Sequence, residues 1–310
     1  MSREQSEVRV VDASDDVARV SAIHASRRVA ALVPESTRAS ADVPPAAAKR
    51  PITLLDQRAV EIGRRGLMAF PEDGPDDALR IEAIAALLGC LHAPLQLRLP
   101  RCGLLAEIPA FVPPALVYYM ALGDYEQNDI EIALAHVRYG DRVLEIGGGI
   151  GITGCALAAA SGNAVVVVEP NPLLWTAIER NFALNGHELT LVRSAVTSSS
   201  GAPANASLWV QTNYWWSSIE ATPGGCHIEV HAVSLGDLLE RFAPTVLSID
   251  VEGAETRLFP ADVPEFVRAI FIEIHSPSIG SAETARIVAG LHASGFKLVD
   301  IRAWTWVFCR

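Results

Sequence analysis

A chain of 310 residues, half of them hydrophobic and with a mean hydropathy of +0.26, has enough apolar material for a large core. Its formal net charge of −11 excludes a broad basic face for nucleic acid and suits a neutral or cationic small ligand better than a polyanion. No apolar run reaches the roughly 18 residues of a membrane span, and the polar start MSREQSEVRV lacks the apolar stretch of a secretion signal. Five cysteines without Cys-x-x-Cys spacing argue against a disulfide framework or a structural zinc site, so reduced thiols in a cytoplasmic protein are expected.

Residues 1–50 mix charges with Ala, Ser and Pro and read as a flexible tail, with room for a short helix near 17–32. Residues 51–122 read as an N-terminal cap, part helical and part β. Within it, PDDALRIEAIAALLGCLH sets Ile81, Ile84, Leu88 and Leu91 at helical spacing behind Asp76 and Asp77, and LQLRLPRCGLLAEIP reads as two short strands around a turn.

Residues 123–310 form the main domain, in which strands alternate with helices. DYEQNDIEIALAHVR is a helix with Ile130, Leu134 and Val137 on one face. DRVLEIG is a strand, GITGCALAAASG a helix, AVVVVEP a buried strand, and NPLLWTAIERNFALNG a helix capped by Asn171. LTLVRSAV and HIEVHAV are strands on either side of an irregular region that holds Tyr214, Trp215 and Trp216. SLGDLLERF is a helix, TVLSIDVEG and AIFIEIH strands, SAETARIVAGLHASG a helix, and FKLVDI with TWVFCR a closing antiparallel pair whose Trp304, Trp306 and Phe308 point to the core. Alternation of this kind gives an α/β fold, a Rossmann-like, mostly parallel sheet covered on both faces with its last strand antiparallel.

The stretch VLEIGGGIGITG carries two overlapping glycine signatures. Gly149, Gly151 and Gly154 make the G-x-G-x-x-G of a dinucleotide loop. Glu145, Gly147, Gly149 and Gly151 make the E-x-G-x-G-x-G expected for S-adenosylmethionine. Glu169, at the end of the next strand, suits ribose hydroxyls in either register. Ligand charge separates the two. A carboxylate such as Glu145 opposes a pyrophosphate, whereas it favours an ammonium and a sulfonium.

VLEIGGGIG, VVEPNP, LVRSAV and LSIDVEGAE, followed by FIEIH, resemble the FkbM family of S-adenosylmethionine-dependent methyltransferases, and GDYEQNDI resembles the segment that precedes the family's first strand. The family's usual D-V-G-A-N-x-G is altered here by Gly148 and Gly149, Ser248 stands where many members have Lys, and Gly236 where Asp is frequent. The resemblance implies a class I methyltransferase sheet, S-adenosylmethionine as cofactor, and O-methylation of a small-molecule hydroxyl on a saccharide or a polyketide-type secondary metabolite. Neither nucleic acid nor membrane is expected as a partner. An NAD(P)-dependent oxidoreductase using the same loop and a non-catalytic donor-binding scaffold are the alternatives.

On this reading Gly147, Gly149 and Gly151 pass beneath the methionine part of the donor, Glu145 orients its ammonium, and Glu169 takes the ribose with Asn171 nearby. Ser194 and Ala195 border the adenine, and Tyr125 and Glu126 close over the donor. Asp250 and Glu252 lie at the carboxyl end of a strand, where open parallel sheets bind ligands. Asp250 is the first candidate for base or orienter and His275 the second, with Glu255 supporting the loop. No second and third metal ligand beside Asp250 is evident, so no metal is expected. His227, Glu229 and His231 share one face of their strand and read as an exposed polar face.

Overall fold

The computed structural model describes residues 94–197, 204–211, 217–219, 224–259 and 263–310. The expected tail, the helix over PDDALRIEAIAALLGCLH, and Tyr214, Trp215 and Trp216 lie outside those residues. None of the described helices is long and apolar enough to cross a membrane.

The centre of the molecule is a seven-stranded sheet. Its strands are β3 (Val143–Ile146), β4 (Val165–Val168), β5 (Leu189–Val192), β9 (Val246–Ile249), β10 (Ala269–Glu273), β11 (Lys297–Arg302) and β12 (Thr305–Cys309), in the order β11-β12-β10-β9-β3-β4-β5. Neighbours from β10 across to β5 are parallel. The last strand, β12, runs antiparallel to both β10 and β11, because only two residues separate it from β11. Strands buried on both faces read as continuous Val, Ile and Leu runs, as VVVV in β4 shows.

Helices cover both faces. On one lie α2 (Gln127–His136), α3 (Ile152–Ser161) and α4 (Pro172–Leu184), joined by Leu157, Ile178 and Phe182 into one core. On the other, α5 (Leu235–Phe242) and α8 (Ser281–Ala293) set Leu238, Leu239, Ile287 and Leu291 against Leu247 and Ile270. The shorter helices are α1 (Pro114–Leu122), α6 (Glu255–Leu258) and α7 (Ser276–Ile279).

Three expectations need correction. LTLVRSAV is two strands rather than one. The chain leaves the main sheet after Val192, and β6 (Ala195–Thr197) joins β7 (Asn205–Val210) and β8 (Cys226–Ser234) in a separate sheet ordered β6-β8-β7. In α2 the buried stripe is Ile130, Ile132 and Ala133, while Leu134 is 58% exposed, because the helix turns its stripe about one position from the 130/134/137 line. Trp304 is 48% exposed, since it sits in the turn before β12, although Phe308 is fully buried as expected.

The hairpin of β1 (Leu95–Arg98) and β2 (Leu105–Ile108) is held to α4 by two asparagines one helical turn apart. Asn185 accepts from the Leu105 N–H at 2.9 Å and donates to the Leu105 carbonyl at 2.7 Å. Asn181, fully buried, does the same for Glu107 at 2.6 and 3.2 Å and also donates to the Ile150 carbonyl at 2.8 Å. The two amides satisfy backbone groups of β2 as a neighbouring strand would.

Candidate active site

The sheet changes its direction of winding at β3, which lies between β4 and β9, and this is where an open α/β sheet has its crevice. Just past Ile146 and Ile249 the two chain segments almost touch. The Asp250 N–H donates to the Ile146 carbonyl at 2.9 Å, and a Cβ built on Gly147 would stand 1.7 Å from the Asp250 carbonyl oxygen. Gly147 also has φ +91°, a left-handed conformation that glycine adopts without strain.

The other glycines divide into two roles. Gly149 borders the crevice, and a Cβ there would meet only the Tyr125 hydroxyl at 3.9 Å. Gly148, Gly151 and Gly154 serve packing. Added Cβ atoms would lie 2.4 Å from Val167 Cγ1, 3.0 Å from Ile178 Cα and 2.4 Å from Glu145 Oε2 respectively. An alanine at Gly148 would therefore collide with Val167, which fills that space. Gly154, the third glycine of the dinucleotide signature, makes room for the Glu145 carboxylate and Phe182 rather than for a ligand.

Above the turn is a cavity of about 790 Å³, its open mouth included. It is bordered by Tyr125, Glu126, Gly147, Gly149, Glu169, Ser194, Ala195, Asp250 and Glu252, with Ser217, Ser218 and Ile219 adding a wall that the sequence reading missed. A second cavity of about 450 Å³ shares Tyr125, Glu126, Gly147, Gly149 and Asp250 and adds Glu145, Asp129 and Thr305. Ten of the thirteen residues named from sequence thus border one cavity or both. Glu145 reaches only the second. Gly151 and Asn171 border neither. Asn171 Oδ1 accepts from the Leu173 N–H at 3.1 Å as the cap of α4, and its buried Nδ2 has no partner. His275 borders neither as well, but its ring reaches the cavity wall through Glu252.

Glu169 is 5% exposed, and its carboxylate accepts from the Asn171 N–H at 2.7 Å and the Gly148 N–H at 3.1 Å. Burial pushes it up to about 7 against those hydrogen bonds. With the Gly149 N–H also acting on it, the carboxylate keeps one lone pair for a further donor. Glu145 is 2% exposed, with Oε2 unpartnered, and burial followed by the charges of Glu126, Glu169 and Asp129 raises it well above the carboxylate range. Burial and neighbouring carboxylates raise Glu126 and Asp250 in the same way.

Behind Asp250 is a knot of charge. His275 Nδ1 contacts the fully buried Glu255 carboxylate, and Nε2 lies 3.3 Å from Glu252 Oε2 and 3.7 Å from Glu273 Oε1. Burial works to lower the imidazole, but the Glu255 hydrogen bond and the charges of Glu252, Glu255 and Glu273 outweigh it and hold the ring at about 9. His275 is therefore protonated at neutral pH, which disfavours it as the base. Burial pushes Glu252 up to about 7, aided by Glu273 and Glu255 and opposed by His275.

Ligand atoms of Asp250, Glu273 and His275 all lie within 4.8 Å of one another. Glu273 and His275 thus stand where a second and third ligand beside Asp250 could stand. Their signal was available in FIEIH, where strand alternation puts Glu273 and His275 on one face. His227, Glu229 and His231 stay on an exposed strand face, with His227 Nε2 3.2 Å from Glu229.

The ionisable groups that line both cavities are one-sided. Glu126, Asp129, Glu145, Glu169, Asp250 and Glu252 border them, and among the described residues no Lys, Arg or His does. Such a site accommodates a cationic ligand and opposes a pyrophosphate.

The Methyltransferase FkbM domain family matches residues 145–298. No curated protein matches the chain. Among solved structures, a ribosomal protein L11 methylase from Lactobacillus delbrueckii subsp. bulgaricus aligns at 17% identity over 60% of this chain and 77% of its own, with a TM-score of 0.34. A precorrin-6Y C5,15-methyltransferase from Geobacter metallireducens aligns at 12% identity over 59% and 86%, with a TM-score of 0.36. A fibrillarin from Aeropyrum pernix with bound S-adenosyl-L-methionine aligns at 11% identity over 58% and 71%, with a TM-score of 0.34. The glycine turn, Glu169 and the Asp250–Glu255 turn all fall inside the matched span, and this chain carries a methyltransferase FkbM domain over residues 145–298.

Proposed function

We propose that the chain is an S-adenosylmethionine-dependent O-methyltransferase acting on a hydroxyl of a saccharide or secondary metabolite. The observation that carries the donor is the cavity at the switch point of the sheet, whose described lining has six carboxyl groups and no Lys, Arg or His. A ligand with an ammonium and a sulfonium relieves the repulsion among these groups, and the same lining disfavours the NAD(P) alternative. Glu169 accepts a ribose hydroxyl on its remaining lone pair, Ser194 and Ala195 border the base, and Tyr125 and Glu126 stand over the methionine part. Glu145 acts from beneath the glycine turn.

The donor supplies a methyl group on positively charged sulfur. What remains for the chain is to align an acceptor oxygen with that methyl and to remove its proton. Asp250, on the border of both cavities, orients the hydroxyl. Glu252 at about 7 takes the proton, because its affinity for a proton matches neutral pH. The oxygen–carbon bond forms as the carbon–sulfur bond breaks, and the sulfur leaves as a neutral thioether. His275⁺, beside Glu252, offsets the charge of the surrounding carboxylates.

The test combines binding and turnover. S-adenosylhomocysteine at 100 times its dissociation constant stabilises the fold by about 2.7 kcal/mol, while NAD and NADP leave the melting midpoint unchanged. Methyl transfer from labelled donor is then screened against hydroxyl, amine and carboxyl acceptors. Transfer to amines alone would overturn the O-methyl reading, and a shift with NAD or NADP would overturn the donor.

A further inference from the structure

We propose that Asp250, Glu273 and His275 form a site for one divalent cation of the Mn²⁺ or Mg²⁺ class, set where the acceptor hydroxyl would be bound. Two ligands on opposite sides of an ion stand about 4.0–4.2 Å apart for Mg²⁺ and about 4.6–5.2 Å apart for Ca²⁺. The three ligand atoms here, all within 4.8 Å of one another, need only a small contraction to close on an ion of the smaller class. They come from the carboxyl ends of two adjacent parallel strands, with β9 delivering Asp250 and β10 delivering Glu273 and His275.

Three further features point to an ion. Asp250 Oδ1 is sealed from solvent and has no hydrogen-bond partner of its own, although the Asp250 carboxyl group also meets Glu273 in a side-chain hydrogen bond. Glu255, fully buried, holds His275 Nδ1 and turns Nε2 toward Glu252 and Glu273, and an ion would take the place of the Nε2 proton, which is released to solvent because only a neutral imidazole ligates. A carboxylate that fixes the far nitrogen of an imidazole is the usual support of a metal-ligating histidine. Finally, carboxylates predominate over imidazole in the donor set, which selects a hard ion over a thiophilic one.

An ion at this place would bind the acceptor oxygen and make its proton easier to remove, leaving Glu252 to take it. That role rests on the methyl-transfer reading above, whereas the binding of the ion does not.

The first experiment is titration of the full-length protein with Mn²⁺ alone, following the loss of the free-ion electron paramagnetic resonance signal. One Mn²⁺ per chain is expected, weakened at least tenfold by Glu273→Gln and by His275→Gln and retained by Glu169→Gln. Pulsed spectroscopy of the wild-type complex should show one directly bound imidazole nitrogen, a readout that needs no variant to fold. Absence of saturable Mn²⁺ binding, or a bound ion without nitrogen coupling, would overturn the site. S-adenosylhomocysteine affinity is measured on the same samples. Its presence without Mn²⁺ binding overturns the metal site alone, and the reverse overturns the donor alone.

Discussion

The Gly147 α-carbon and the Asp250 carbonyl oxygen are so close that a methyl group on the first would stand 1.7 Å from the second. This approach brings the glycine turn and the Asp250 carboxylate to one cavity. Gly147→Ala should therefore cost roughly 3 kcal/mol or more, from overpacking together with a left-handed backbone. Gly149→Asn, at φ +51° with open space, should be tolerated. Urea denaturation of both variants checks the contrast, and equal midpoints would contradict the crowding.

Glu169→Ala should weaken S-adenosylhomocysteine at least tenfold, about 1.4 kcal/mol, by calorimetry. The variant also frees the Gly148 and Asn171 N–H groups, so its melting midpoint is measured alongside. Unchanged affinity would remove Glu169 from the donor site.

The pH dependence follows from the same residue. Glu169 has a folded value of about 7 against an ordinary 4.5, so it takes up its proton more readily in the folded state. Its contribution is full below pH 4.5 and is lost as pH rises through 7, up to about 3 kcal/mol for a shift of this size. Glu252 acts in the same direction. The ligand-free protein should melt lower at about pH 8 than at about pH 5, while S-adenosylhomocysteine, which needs the Glu169 carboxylate, should bind more tightly at about pH 8 than at about pH 6. A ligand affinity that falls with pH over this range would contradict the assignment.

Glu252→Gln should reduce turnover roughly 10²- to 10⁴-fold while S-adenosylhomocysteine affinity stays within a few-fold of wild type. Undiminished methyl transfer would reassign the proton acceptor, and the absence of transfer by the wild type to any acceptor would favour a donor-binding scaffold.

Asn181→Ala should destabilise the fold by roughly 2–4 kcal/mol, because it strands the Glu107 and Ile150 backbone groups at the junction of the hairpin and α4. Hydrogen exchange should show the hairpin residues 95–108 losing protection. Retained protection would mean that Asn185 and apolar packing suffice.

The local pattern of the chain determined the strands and helices of the main domain, the glycine turn and the donor class. Periodicity, caps and strand-end acids are short-range signals, legible wherever a strand is buried on both faces or a helix starts at Asn171. The Gly154 signature was legible yet ambiguous, since only the fold reveals that its missing Cβ is claimed by Glu145 and Phe182. Only the tertiary structure decided that LTLVRSAV divides between two sheets, that the stripe of α2 excludes Leu134, and that Asn171, the cap of α4, does not border the cavity. It likewise brought Glu255 and Glu273 around His275, whose carboxylate neighbours favour the imidazolium. These outcomes depend on which groups from distant segments share one low-dielectric space, and spacing along a chain does not encode that distance.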